Sequence, residues 1–290
     1  MKLSFQLSLI FSAMTLVACQ PTTNPSNSNT ATTNSTASAT GTNNTDSTVA
    51  TTKADTFVSK LPANAPTYKV ATSDTNPPFS FMDDHGKLMG LDIDAIHAIG
   101  EAGGFKVQFY SMPWADMFRN VETGKFDLAA SGISYSDSRN TTYNLSHPYF
   151  FNPAAMMWKS DHADIKNLND AKNIKLGTIK GSIMAGQFKA IGGKDLTEFN
   201  TPFLMFRGLM TDKVDAIAYD EPVFRYNAKQ YPEMKVKIVA YEGRDVPTSQ
   251  QIILLKKGND EVTQKVNAGI DKILSNGEMQ KIEEKWLGKK

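Results

Sequence analysis

Gly124-Lys125-Phe126-Asp127-Leu128-Ala129-Ala130-Ser131 returns later in the chain as Asp212-Lys213-Val214-Asp215-Ala216-Ile217-Ala218-Tyr219. Each copy holds a helix end, a Lys-x-Asp turn and a short apolar strand that empties into a polar loop. One such unit alone would say little. The shared register of the two copies points to a pair of similar α/β lobes.

Working outward from the first copy, residues 68–72 read as a strand ending in a polar loop, 73–78. Residues 79–82 and 87–91 flank Asp83-Asp84-His85-Gly86, which carries hairpin turn chemistry. Ile93, Ile96 and Ile99 keep helical spacing until Gly103-Gly104 stops the helix. A strand over 105–112, a helix over 115–121 and a strand over 126–130 complete the run. Around the second copy, strands at 174–178, 196–199 and 216–219 alternate with helices at 182–190 and 203–210. A further strand spans 249–256. Two helices follow, with Val262, Val266, Ile270 and Ile273 on one face and Ile282 and Trp286 on another. Alternating strands and helices imply parallel-rich sheets, which bind ligands at the carboxyl ends of their strands.

The N-terminal stretch reads differently. Met1-Lys2 supplies one positive charge, residues 3–17 are mostly apolar, and Leu16-Val17-Ala18-Cys19 closes with small residues. That is the layout of a secretory signal, too short for a membrane span. The tetrapeptide resembles a bacterial lipobox, whose cysteine carries the lipid anchor of the mature protein; an ordinary signal peptide with a chance cysteine is the plainer alternative. Residues 21–52 are dominated by Ser, Thr, Asn and Ala, with Asp46 the only charge and no aromatic ring. Such a segment buries too little apolar surface to offset its ordering entropy. Residues 19–66 are therefore expected to be a lipidated cysteine and a disordered tether, after a signal peptide at 1–18.

Composition narrows the function. Lys+Arg 31 against Asp+Glu 30 gives almost no net charge, and no basic stripe marks a nucleic-acid partner. With Cys19, the sole cysteine, committed to lipid, no disulfide or thiolate site remains. The histidines at 85, 97, 147 and 162 lack metal-ligand spacing, so neither metal nor cofactor is expected.

Polar chemistry collects where the echoed strands end. After the first stands Ser131-Gly132-Ile133-Ser134-Tyr135-Ser136-Asp137-Ser138-Arg139. Gly132 admits a close backbone approach, Ser134 offers a hydroxyl, and Arg139 presents the planar fork that grips a carboxylate. After the second stands Asp220, with Glu221-Pro222 as a helix start and no cationic neighbour in sequence. An Arg on one lobe and an Asp on the other describe a holder for an α-amino acid zwitterion. Each alone would more often be a surface ion-pair partner.

Here the chain closely resembles the family 3 extracellular solute-binding proteins, the polar amino-acid receptors of ABC importers. The resemblance covers about residues 68–287. It rests on Asn76-Pro77-Pro78-Phe79-Ser80-Phe81, on Gly86-Lys87-Leu88-Met89-Gly90-Leu91-Asp92-Ile93-Asp94, on Gly124-Lys125-Phe126-Asp127, on residues 134–139 with Ser146-His147-Pro148-Tyr149, and on Lys213-Val214-Asp215-Ala216 with Asp220. It implies a type II periplasmic-binding-protein fold, with two α/β lobes joined by two hinge strands near 149–158 and 243–250. Lobe one would comprise residues 67–153 and a C-terminal return, 247–290; lobe two would comprise 154–246.

By the same resemblance, Arg139 and Ser134 meet the ligand carboxylate, and Gly132 and Asp220 meet the ammonium. Ser182 and Ile183 open a lobe-two helix whose amides face the carboxylate. Trp114 packs against the ligand side chain, and Ile179 with Ile183 adds apolar wall. The family often has Tyr where Asn76 stands, and an acidic residue where Ser73 stands in receptors for cationic amino acids. Both departures favour a polar uncharged or modestly sized amino acid. The implied protein is a non-catalytic, exported and lipid-anchored monomer that closes on an L-amino acid and delivers it to an ABC transporter permease. The alternatives are a dehydratase-type enzyme, with Glu221 or Asp74 as its acid, and a ligand-sensing lipoprotein.

Overall fold

Asp127 and Asp215 set the frame of the molecule. In the computed structural model, which describes residues 57–160 and 165–289, Asp127 Oδ2 accepts the Lys69 N–H at 2.7 Å while its own N–H donates to the Lys69 carbonyl at 3.1 Å. Asp215 repeats the arrangement on Lys175, at 2.9 and 2.8 Å. Each carboxylate thus ties the start of one parallel strand to the turn entering the next.

The elements of the first half are β1 (Thr67–Thr72), β2 (Thr75–Asn76), β3 (Ser80–Met82), β4 (Leu88–Met89), α1 (Leu91–Gly103), β5 (Lys106–Ser111), α2 (Trp114–Glu122), β6 (Leu128–Ala129), α3 (Asp137–Thr142), β7 (Asn144–Leu145) and β8 (Phe150–Phe151). The second half continues with β9 (Ala154–Lys159), β10 (Lys175–Ile179), α4 (Ile183–Ala190), β11 (Asp195–Phe199), α5 (Pro202–Met210), β12 (Ala216–Asp220), α6 (Glu221–Gln230), β13 (Val236–Ala240), β14 (Gln250–Gln251), β15 (Leu254–Leu255), α7 (Asp260–Ser275) and α8 (Glu278–Leu287).

Two five-stranded sheets share one topology. Lobe one orders its strands β5-β1-β6-β15-β7 and lobe two orders them β11-β10-β12-β9-β13. In each, the first two pairings are parallel and the last two antiparallel. The sequence echo is realised in detail. Gly124 and Asp212, its aligned partner, both hold positive φ, 76° and 57°. Thr72 Oγ1 donates to the Ala130 carbonyl and Thr178 Oγ1 to the Ala218 carbonyl, both at 2.7 Å.

The lobes meet at a short hinge. β8 pairs antiparallel with β14, Phe151 opposite Gln250 and Phe150 opposite Gln251. Glu242 fastens the crossing: its carboxylate accepts the Ala154 N–H, Gln187 Nε2 and Thr248 Oγ1 at 3.2, 2.7 and 2.6 Å. The expected hinge span 149–158 is therefore divided, because β9 already lies inside the lobe-two sheet. The single strand expected over 249–256 is divided too. β14 serves the hinge and β15 the lobe-one sheet, while between them the Ile252 N–H bonds the Ile133 carbonyl and the Ile253 N–H bonds Ser146 Oγ.

The signal peptide, Cys19, residues 20–56 and His162 lie outside the described residues. Of residues 57–66, expected to be tether, Phe57, Ser59 and Lys60 contact α1. The Phe57 ring stacks on His97 at 4.0 Å, and Ser59 Oγ and the Lys60 N–H both bond the Glu101 carboxylate. Among the described residues, no helix is long and apolar enough to cross a membrane.

Candidate ligand-binding cleft

Arg139 is delivered by α3, a six-residue helix whose start is capped by Ser136 Oγ accepting the Arg139 N–H at 3.3 Å. Its guanidinium donates to the Ser134 carbonyl at 2.5 Å. It also lies 5.2 Å from the Phe118 ring centre and 5.9 Å from that of Trp114, within cation–π range. Those rings are held by α2, whose Met117 and Val121 are fully buried in the lobe-one core. Burying such a side chain contributes about 1.5–3 kcal/mol, enough to fix the helix and leave Trp114 and Phe118 facing Arg139. Burial pushes the arginine down to about 10, against the pull of Asp220. It remains a cation at neutral pH.

Lobe two answers with Asp220, the last residue of β12 and the N-cap of α6, buried and without an ion pair among the described residues. Burial pushes its carboxyl up to about 8; the Asn152 amide and Arg139 offset part of the rise, and the charges of Glu242 and Asp92 add to it. With the lobes closed and nothing bound, Asp220 therefore favours its protonated form. A cation placed against it would reverse that preference. Beside it, Ser182 caps α4 by accepting the Ala185 N–H at 3.3 Å, and its hydroxyl lies 3.1 Å from Thr178 Oγ1.

The two walls enclose one narrow cleft. Trp114, Gly132, Ser134 and Arg139 line it from lobe one; Ser182, Ile183 and Asp220 line it from lobe two. About 20 Å³ remains between them, room for roughly one water, so the lobes stand closed. Three residues expected at the site do not line it. Ser73 Oγ turns to Thr75 Oγ1 at 3.2 Å, and Ile179 is buried in the lobe-two core. Asn76 lies behind the wall, donating from Nδ2 to the Ser131 carbonyl at 3.0 Å. Met184 and Tyr219 line the cleft without having been singled out. Tyr219 was within reach of sequence reading, since it precedes Asp220 at the end of the echoed strand.

Gly132 completes the lobe-one wall in a backbone conformation few other residues could hold. Its φ is +69°, and a β-carbon there would lie 2.7 Å from the Phe79 ring. Its N–H donates to the buried Asp92 carboxylate at 2.6 Å.

Residues 68–289 match the bacterial extracellular solute-binding proteins, family 3. The chain belongs to this family. Family 3 relatives include a probable histidine-binding protein of Neisseria gonorrhoeae, 27% identical over 230 residues, covering 77% of this chain and 83% of the relative. The L-cystine-binding protein TcyJ of Escherichia coli is 25% identical over 224 residues, with the same coverage. Among solved structures, an ancestral arginine-binding protein bound to glutamine superposes with a TM-score of 0.70 at 33% identity, over 77% of this chain and 98% of that one. An ancestral amino acid-binding protein described as a precursor of cyclohexadienyl dehydratase superposes at 0.67 with 28% identity, over 76% of this chain and 95% of that one. The architecture of this family 3 protein is accordingly the type II periplasmic-binding-protein fold, and its relatives are named as binding proteins.

Proposed function

We propose that this chain is the receptor of an ABC importer and captures an L-amino acid with an uncharged side chain. One observation carries the reading: Arg139 and Asp220 face the same cleft from opposite lobes, and among the described residues no other charged side chain lines it. Arg139 takes the carboxylate, with Ser134 and the amides that open α4; Asp220 and Gly132 take the ammonium. Both charges are then spent on the zwitterion, and Trp114, Ile183, Met184 and Tyr219 are left to surround a neutral side chain. A ligand bridging the lobes binds the closed form more tightly and shifts the population toward it. A permease reads that closure, with the receptor held nearby as a monomer through a lipid on Cys19.

Catalysis is the weaker reading. Glu221 is engaged by Arg225 on α6, at 2.6 Å, and Asp74 does not line the cleft. Isothermal titration with L-glutamine, L-histidine, L-cystine and L-arginine tests the assignment. Heat with an uncharged amino acid and none with L-arginine supports it, and no heat with any of them overturns it. Mass spectrometry of the recovered ligand separates the readings: an unchanged molecule fits a receptor, an altered one an enzyme.

A further inference from the structure

Asp92 sits in the first turn of α1 with no exposed surface, behind the cleft rather than in it. Its Oδ2 accepts the Gly132 N–H at 2.6 Å. Its Oδ1 accepts Tyr149 Oη at 2.9 Å and Gln251 Nε2 at 2.5 Å, and that same Gln251 Nε2 lies 2.6 Å from Tyr149 Oη. Tyr149 immediately precedes hinge strand β8, and Gln251 belongs to hinge strand β14. The backbone of Gln251 also bridges to Ser134 of the cleft wall and accepts the Tyr149 N–H at 3.1 Å. One carboxylate therefore holds both hinge strands and the binding loop. The Ser131–Gly132 peptide is gripped from both sides, since its carbonyl accepts Asn76 Nδ2 at 3.0 Å.

We propose that Asp92 is a positioning residue for ligand capture: it clamps the Ser131–Gly132 peptide in place in the cleft wall and couples that peptide to the hinge through Tyr149 and Gln251. The proposal rests on the receptor reading for its purpose, but the clamp itself exists without ligand. Three donors converge on Asp92, which suits an ionised carboxylate that only accepts. A protonated carboxyl would turn one oxygen into a donor and break the set. No Lys, Arg or His supplies a counter-charge at the described contacts. On its own helix, Asp94 is engaged by Lys285 and Trp286 of α8, and His97 is stacked on Phe57 and meets Phe109 edge-to-face. Tyr149 faces Asp92 from the hinge, and the charge of Asp92 is felt at Asp220 of β12. The helix N-terminus and the three donors are what favour the anion. Burial opposes them and pushes the carboxyl up to about 7.

The test follows the Gly132 amide by ¹H–¹⁵N NMR in the folded protein without ligand. An amide bonded to a carboxylate should resonate far downfield and move upfield as pH falls through about 7, where Asp92 takes up a proton. In D92N that pH response should vanish. L-glutamine should then bind at least about tenfold more weakly, the size of one buried charge-assisted hydrogen bond. Y149F, which removes one donor and leaves the packing, should shift the Gly132 resonance in the same direction by less, and keeps the test available if D92N does not fold. A Gly132 amide that resonates at the same position in D92N as in the wild-type protein, or D92N binding L-glutamine as tightly as wild type, would overturn the clamp. Absence of L-glutamine binding by the wild-type protein would count against the receptor reading instead, and the amide response would still decide the clamp.

Discussion

Tyr219 Oη donates to Asn76 Oδ1 at 3.4 Å, joining the end of lobe two's β12 to β2 of lobe one beside the cleft. The bond is long for a hydroxyl donor, so it acts as a light latch rather than a lock. Behind it, Asn76 Nδ2 holds the Ser131 carbonyl, so closure of the lobes is felt at the same peptide that Asp92 grips. Phe81 of lobe one and Tyr226 of lobe two add a ring contact at 5.9 Å across the same gap.

Tyr219→Phe should therefore act on closure and leave the lobes themselves intact. Losing one such hydrogen bond is worth about 0.5–1.5 kcal/mol, a severalfold drop in the closed population. Small-angle scattering of the unliganded variant should show a larger radius of gyration, while calorimetry shows an unchanged melting temperature. An unchanged scattering profile would mean the latch contributes nothing.

Arg139→Ala should separate binding from stability. Among the described residues the guanidinium packs on Trp114 and Phe118 and bonds the Ser134 carbonyl, so its removal leaves none of their buried charges unpaired in lobe one. Amino-acid binding should disappear in titration calorimetry, with the unliganded protein's stability changed by less than about 1 kcal/mol. A large loss of stability would mark the arginine as structural.

Asp220 gives the protein a pH dependence whose direction is set by its raised value. Folded, it holds its proton up to about pH 8; its ordinary value is 3.8. The stability it contributes is thus fully present below about pH 4 and is lost as pH rises through 8. Asp92, raised to about 7, slopes the same way. Unliganded protein should melt at lower temperature at pH 9 than at pH 5. Asp220→Asn should flatten that slope and raise stability at pH 9 by on the order of 2 kcal/mol, while abolishing binding. A ligand ammonium requires the ionised form, so binding below pH 8 should release a proton. Titrations in buffers of different ionisation heat measure it directly, and affinity should climb between pH 6 and 8.

Legibility in the sequence followed the range of the interactions. The Asp127 and Asp215 turns were readable because a Lys-x-Asp turn and the strand after it are local, and Arg139 and Asp220 follow those strands at once. The short strands β2 and β7 were not, since two residues carry no periodicity. Ser73 and Asn76 were expected at the ligand from the resemblance to the family, at whose matching positions an acidic residue and a tyrosine often stand. The β2–β3 pairing turns Asn76 to Ser131 and keeps Ser73 on its own loop. The Asp92 clamp was invisible for a plainer reason: its partners lie 40, 57 and 159 residues away in the chain.

Gly132→Ala and Gly124→Ala form a matched pair that isolates the binding loop. Both glycines hold positive φ, 69° and 76°, so each substitution carries a backbone cost of about 1 kcal/mol. They differ in what the new methyl meets. At Gly124 it meets the flexible end of Lys256, 2.5 Å from Nζ, which can swing away. At Gly132 it meets the buried Phe79 ring at 2.7 Å and Asn76 Nδ2 at 3.1 Å, which cannot yield without moving the Ser131–Gly132 peptide. Gly124→Ala should melt slightly earlier and bind as wild type. Gly132→Ala should lose about 2–3 kcal/mol of stability and bind more than about tenfold more weakly. Calorimetry and ligand titration on the two variants measure both quantities. Equal binding by the two would show that the Gly132 peptide does not need its observed position to hold a ligand.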